Sequence, residues 1–166
     1  MFMLTLKKIG LTVAILALLV FLAGQFNKRM FAPEATFITL TGKTLRMADL
    51  KGKVVLVNFW ATTCTTCVRE MPGLVDTYNT YKDKNFEMIA VAMDHDPPAQ
   101  VLNFATQKAL PFPVMHDGFN DVAKAFRHKG ITPTTYIFDK NGFRTFYKVG
   151  EIDFVKLNQL LDKALN

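Results

Sequence analysis

Several things are scarce in this chain. Two cysteines in 166 residues exclude a small scaffold built on disulfides, which needs several bridges to replace a core. No internal repeat and no low-complexity tract is present, so the composition is neither collagen-like nor that of a disordered chain. No block of one charge is present either. The formal charge of +6 divides evenly: residues 1–35 carry Lys7, Lys8, Lys28 and Arg29 against Glu34, and the remainder carries sixteen basic against thirteen acidic residues, which is +3 in each part. Without a basic stripe, nucleic acid is not an expected partner. What the chain does have is a 50% apolar content, enough to fill the core of one domain of ordinary size.

Eighteen uncharged and mostly apolar residues run from Ile9 to Phe26. As a helix they would extend about 27 Å, close to the hydrocarbon thickness of a bilayer. Their apolar positions go all round the helix, unlike the single stripe of a helix packed on a core. Lys7 and Lys8 precede them, as in a signal peptide or an anchor. A cleavage site wants small residues at two positions before the cut. Ala23 and Gly24 are small, but Phe21 and Leu22 stand two residues before them. Leu22-Ala23-Gly24 would suit lipidation, yet Gln25 occupies the place of the required cysteine. The expectation is therefore a cytoplasmic tail at 1–8, a transmembrane anchor or uncleaved signal at 9–26, a linker at 27–35 and a globular domain at 36–166. Positive charge is nearly balanced across the run, but a basic pair before a single hydrophobic segment places the N-terminus inside and the domain outside the cytoplasm.

In the globular part, Phe37–Leu40 and Thr44–Met47 predict a hairpin around Thr41-Gly42-Lys43. The apolar run Val54–Phe59 fits a strand buried on both faces, and Phe86–Met93 fits a second. Leu74, Val75, Tyr78 and Tyr81 recur at helical spacing, with a kink expected at Pro72. Val101, Leu102, Ala105 and Ala109 mark another helix, and Val122, Ala123 and Phe126 a shorter one. Thr135–Phe138 and Phe143–Val149 are strands joined through Asn141-Gly142, a strong hairpin signal. Phe154, Leu157 and Leu161 lie along one face of a final helix. After the hairpin the order is β-α-β-α-α-β-β-α, an α/β sandwich with a mixed sheet.

Both cysteines fall in Trp60-Ala61-Thr62-Thr63-Cys64-Thr65-Thr66-Cys67, between a buried strand and a helix. A bridge across so short a loop constrains almost no unfolded chain, so a purely structural role is a poor fit. No second cysteine pair completes a zinc site, and Val68 stands where haem attachment needs His. A helix N-terminus favours a thiolate through its dipole and unpaired N–H groups. Cys64 is thus the expected attacking thiol and Cys67 the resolving one.

These residues, together with Leu50-Lys51-Gly52-Lys53-Val54-Val55-Leu56-Val57-Asn58-Phe59-Trp60-Ala61, Arg69-Glu70-Met71-Pro72 and Gly130-Ile131-Thr132-Pro133-Thr134-Thr135-Tyr136-Ile137-Phe138-Asp139-Lys140-Asn141-Gly142, resemble the thioredoxin superfamily. Within it they are similar to the membrane-anchored TlpA/ResA-type thiol–disulfide oxidoreductases, from about residue 31 onward, with a helix-bearing insert near 94–118. The resemblance implies a thioredoxin-like sandwich with a central mixed β-sheet, no cofactor and no metal. It makes Pro133 the family's cis-proline, which with Thr132 docks an extended substrate chain. It makes Glu70 a carboxylate beside the cysteines and Trp60 a neighbour of the active-site loop. It also implies disulfide-containing protein substrates in the periplasm, such as apocytochrome c, and a membrane dithiol donor that re-reduces the pair in the bacterial inner membrane. The chain departs from relatives in three places. Thr66 replaces a common Pro, Thr63 replaces a common Trp, and Asn58 stands where thioredoxins proper have a buried Asp.

Two other functions share the fold. A thiol peroxidase needs a Pro and a Thr shortly ahead of its reactive cysteine, and no Pro stands in Trp60-Ala61-Thr62-Thr63 directly before Cys64. A copper-carrying module could draw on the cysteines with His95 or His116, next to Met93 and Met115, since thioether and imidazole suit copper. The sequence places these histidines in a loop or at a strand end, and His128 at a helix end in a capping or surface role. Asp94-His95-Asp96-Pro97-Pro98 is expected to turn after a strand and begin a helix with proline.

Overall fold

A computed structural model describes the backbone of residues 2–165 and the side chains of residues 10–24 and 31–165. Two units are present, Met1–Phe31 and Ala32–Asn166. The first is helix α1, Phe2–Met30. It runs past both ends of the expected anchor and takes in residues expected as tail and linker. Helices propagate at low cost once nucleated, and no proline intervenes before Pro33. The described side chains of α1 are exposed, Val20 at 73% and Phe21 at 62%. Among the described residues no helix is long and apolar enough to cross a membrane. The stretch 10–24 extends about 22 Å, against a hydrocarbon layer of about 30 Å. Ile9, Gln25 and Phe26, and the basic flanks at Lys7, Lys8, Lys28 and Arg29, lie outside the described side chains.

The second unit opens with strands β1, Thr36–Ile38, and β2, Thr44–Arg46, paired antiparallel with Phe37 opposite Leu45. The expected hairpin is there but shorter, because Met47 turns inward as the start of a single 3-10 turn, Met47–Leu50. Then follow β3, Val54–Trp60, α2, Thr65–Tyr81, β4, Phe86–Ala92, and α3, Pro98–Gln107. The chain continues through β5, Val114–His116, α4, Asp121–Ala125, β6, Thr134–Phe138, β7, Arg144–Val149, and α5, Phe154–Leu165. The sheet order is β5-β4-β3-β6-β7. β3 runs parallel to β4, and β4 to β5, while β6 is antiparallel to both β3 and β7. This is the mixed sheet expected, with one strand more. β5 has only three residues and follows Pro111-Phe112-Pro113, too short a run to show a period of two.

Alternation along β3 sorts the core into two layers. Val54, Leu56 and Trp60 pack with Cys67, Met71 and Leu74 of α2 and with Leu157 and Leu161 of α5. Val55, Val57 and Phe59 point the other way, to Phe37, Met47, Val122 and Phe126. Full burial of a side chain such as Leu74 contributes about 1.5–3 kcal/mol. Asn58 falls on the α2 side of β3, a buried polar residue among apolar neighbours. Pro72 lies within α2 and the helix continues through it to Tyr81.

One end of the sheet gathers the connections that build the site. β3 delivers Trp60 to the cysteine loop, and Ala92, its partner on β4, precedes the loop to α3. Thr134 pairs with Phe59 on one side and Val149 on the other. The Thr132–Pro133 bond and the segment from Gly150 to Ile152 are thereby set at the same end.

Candidate active site

Cys64 and Cys67 are joined in a disulfide, with Cα atoms 5.2 Å apart. Cys64 is the N-cap of α2 in extended conformation, and its sulfur accepts the N–H of Cys67 at 3.2 Å. The N–H of Val68 donates to the Cys64 carbonyl at 3.0 Å and starts the helical ladder. Sequence spacing and cap geometry together give the two sulfurs different surroundings. Cys64 is half-buried and Cys67 is wholly buried in the α2 core. An accessible first sulfur and a protected second one suit attack followed by resolution.

Glu70 lies one turn beyond Cys67 and is 2% exposed, so it is not a surface helix residue. The Asn58 side-chain amide donates to its Oε1 at 3.3 Å, and the Ile152 N–H donates to Oε2 at 3.2 Å. Burial pushes the Glu70 carboxyl up to about 7, partly opposed by those two donors. The group therefore changes charge near neutral pH. Arg69 reaches outward instead, in a two-point ion pair with Glu151 at 2.8 and 3.0 Å, which ties α2 to the segment carrying Ile152.

Asn58 also donates to the Thr135 hydroxyl at 3.0 Å, so β3, α2 and β6 meet at one buried amide. Its Oδ1 has no hydrogen-bond partner among the described residues. The sequence carried a signal for this role, a lone amide inside an otherwise apolar strand, but gave no sign of Thr135 as a partner of Asn58 or of the Ile152 amide as a partner of Glu70.

The Thr132–Pro133 peptide bond is cis. Pro133 is buried and Thr132 half-buried, and the Pro133 carbonyl accepts the Gly150 N–H at 2.8 Å. Trp60 is fully buried, its ring 5.1 Å from that of Phe104 on α3. The site thus collects Cys64, Cys67 and Glu70 on one helix, with Trp60, Thr132 and Pro133 at the same sheet end.

The histidines do not join it as a metal cluster. Among the described residues no group of three or more His, Cys, Asp or Glu is placed to hold a metal ion. His116 ends β5 and its Nε2 bonds the Asp96 carbonyl at 2.8 Å. His128 follows the end of α4 as expected, its N–H capping the Ala123 carbonyl at 2.8 Å, but its ring is not at the surface: it is half-buried and stacks on Phe59 at 4.3 Å, and burial holds its pKa down. An imidazole after the short helix α4 is drawn in because Phe59 offers a flat apolar face.

Fold and site define a thioredoxin-fold protein with a redox-active cysteine pair at a helix N-terminus. Residues 29–143 match the AhpC/TSA family. The thiol-disulfide oxidoreductase ResA of Geobacillus kaustophilus is 39% identical over 111 residues, 67% of this chain and 63% of that protein, so the match spans somewhat less than two thirds of that relative. ResA of Bacillus thuringiensis strain Al Hakam is 37% identical over 132 residues, 80% of this chain and 75% of that protein. The solution structure of a Neisseria meningitidis protein described as a thioredoxin superposes with a TM-score of 0.75 at 43% identity, covering 81% of this chain and 89% of that one. The chain belongs to the AhpC/TSA family of thioredoxin-fold proteins and is one of its thiol–disulfide oxidoreductases.

Proposed function

We propose that this chain is a membrane-tethered reductant of protein disulfides working outside the cytoplasm. The observation that carries the reading is the asymmetry of the pair, a half-buried Cys64 capping α2 and a fully buried Cys67 one turn in. In the dithiol state the Cys64 thiolate attacks one sulfur of a substrate disulfide. That S–S bond breaks, a mixed disulfide forms, and the second substrate sulfur leaves as a thiolate that takes a proton. The Cys67 thiolate then attacks Cys64, expels the first substrate sulfur and closes the Cys64–Cys67 bond. The substrate gains two electrons and the pair loses two.

Glu70 serves as the base that takes the proton of Cys67 before the second attack. Its position one turn along α2, inside the same buried layer, and its affinity for a proton near neutral pH support that role. Thr132 and Pro133 receive the extended substrate chain beside Trp60 and the cysteine loop. Protein disulfides of periplasmic cysteine proteins, apocytochrome c among them, are the substrate class, and a membrane dithiol returns the electrons. The uncharged run at 9–26 supports the tether, with the domain on the periplasmic side of a bacterial inner membrane.

The test is the reduction potential. The full chain is equilibrated in dithiol buffers, alkylated, and its oxidised fraction read by mass. A value near that of thioredoxin, about −270 mV, bears out a dedicated reductant. A value near that of strong oxidants, about −120 mV, overturns the reducing direction. A mature N-terminus just after Ala23 or Gly24 would overturn the tether.

A further inference from the structure

One buried carboxylate near the cysteines has no part in the exchange just described. Asp96 follows β4 and is 1% exposed. Its Oδ2 accepts the Thr62 N–H and its Oδ1 accepts the Thr62 hydroxyl at 3.0 Å. Gln100, on the first turn of α3, donates to the same hydroxyl oxygen at 2.7 Å. Asp96 is itself held from behind. Its N–H donates to the Met93 carbonyl at 3.2 Å, and His116 on β5 bonds its carbonyl at 2.8 Å. Met93 in turn donates its N–H to the Trp60 carbonyl at 3.0 Å. A buried carboxylate with all its near partners on one residue is a directional support, since an unpaired charge there would be costly. Thr62 stands two residues before Cys64, in the loop whose Ala61 carbonyl accepts the Cys64 N–H at 3.2 Å.

We infer that Asp96 is a positioning residue that clamps Thr62 and thereby keeps Cys64 within reach of Cys67 when the disulfide is open. The inference rests on the dithiol reading above. Reduction adds two electrons and two protons and removes the covalent tie between the sulfurs. In the dithiol the loop 61–64 is then held by its hydrogen bonds alone. Fixing one end of so short a loop raises the effective concentration of one thiol for the other. That favours ring closure, keeps the pair reducing and shortens the life of a mixed disulfide, because Cys67 finds Cys64 without a search.

A natural control exists in the same molecule. Asp117 is also buried, and its carboxylate accepts the N–H groups of Val122 and Ala123 at 3.2 and 2.7 Å. It supports α4 and has no bond to the cysteine loop. The experiment equilibrates the full-length chain, Asp96→Ala, Thr62→Ala and Asp117→Ala with glutathione buffers and reads the thiol–disulfide constant. Asp96→Ala is expected to disfavour the disulfide about tenfold, a rise of about 30 mV in potential. Thr62→Ala, which keeps its N–H bond, shifts in the same direction by less, and Asp117→Ala stays within about twofold. If Asp96→Ala does not fold, Thr62→Ala and Gln100→Ala carry the test. An unmoved constant in the clamp variants, or an equal shift in Asp117→Ala, would overturn the clamp while leaving the redox reading intact. Absence of any reversible couple in the unaltered chain would overturn both.

Discussion

Asn58 on β3 and Glu70 on α2 meet inside the domain, the amide Nδ2 at 3.3 Å from Oε1, with neither residue more than 2% exposed. The contact crosses from sheet to helix one turn past Cys67. It places a neutral donor against a group that is charged only when deprotonated.

The first prediction follows from the direction of the Glu70 shift. Burial raises its folded value to about 7 from an ordinary 4.5, so folding favours the protonated carboxyl. Stability from this group is fully present below about 4.5 and is lost as pH rises through about 7. Urea midpoints of the disulfide form should decline over that window in the unaltered chain and lose that decline in Glu70→Gln. In the dithiol form the same substitution removes a negative charge next to Cys67 and lowers the thiol pKa values. Alkylation rate against pH reads this directly, and an unmoved profile would remove Glu70 from the exchange.

Asn58→Leu tests the donor. It deletes one of the two bonds that oppose the burial effect, so the Glu70 pKa should rise further. A carboxyl carbon resonance that titrates at higher pH than in the unaltered chain is the expected outcome, and titration at the same or lower pH would contradict it.

The roles of the two sulfurs separate in single substitutions. Cys67→Ser leaves Cys64 to attack and nothing to resolve, so a mixed disulfide with a model substrate should accumulate. Cys64→Ser keeps only the buried sulfur and should trap at least an order of magnitude less, in line with the dependence of exchange on access. Equal trapping by both variants would reverse the assignment.

Gly73 is next to Pro72 on α2, and a Cβ there would lie 2.5 Å from the tip of the Phe154 ring of α5. Alanine for glycine in a helix contributes about 1 kcal/mol, whereas displacing a packed ring costs about 1–3 kcal/mol. Gly73→Ala should therefore be neutral to destabilising in the unaltered chain and stabilising by about 1 kcal/mol in a Phe154→Ala background. A chemical-denaturation double-mutant cycle measures the change of sign.

Much of the fold was legible in the sequence because its strands are long or its turns distinctive. Val54–Trp60 and Phe86–Ala92 are near-continuous apolar runs, and Asn141-Gly142 does mark the connection between β6 and β7, where the Asp139 carboxylate accepts the N–H groups of Asn141 and Phe143 at 2.9 Å each. β5 escaped because three residues behind a proline carry no period. The cysteines and Trp60 stand in one contiguous segment and could be found together. Asp96 could not: the bonds that tie it to Thr62 span 34 positions, and in sequence it is one more acid in a proline turn. The inward turn of the His128 ring is hidden for a related reason, since its ring partner Phe59 is distant in sequence and known only once the sheet is built.

The flanks of the central sheet carry a last consequence. On one side the Leu40 N–H donates to the Val114 carbonyl and Thr39 bridges Met115, so the short hairpin occupies the open border of β5. On the other, β7 is the outermost strand and bears Arg144 and Lys148. Unpaired strand borders template aggregation, and covering one while placing cations on the other discourages it. With one border covered and the other carrying cations, neither side of the sheet invites indiscriminate extension by a passing chain.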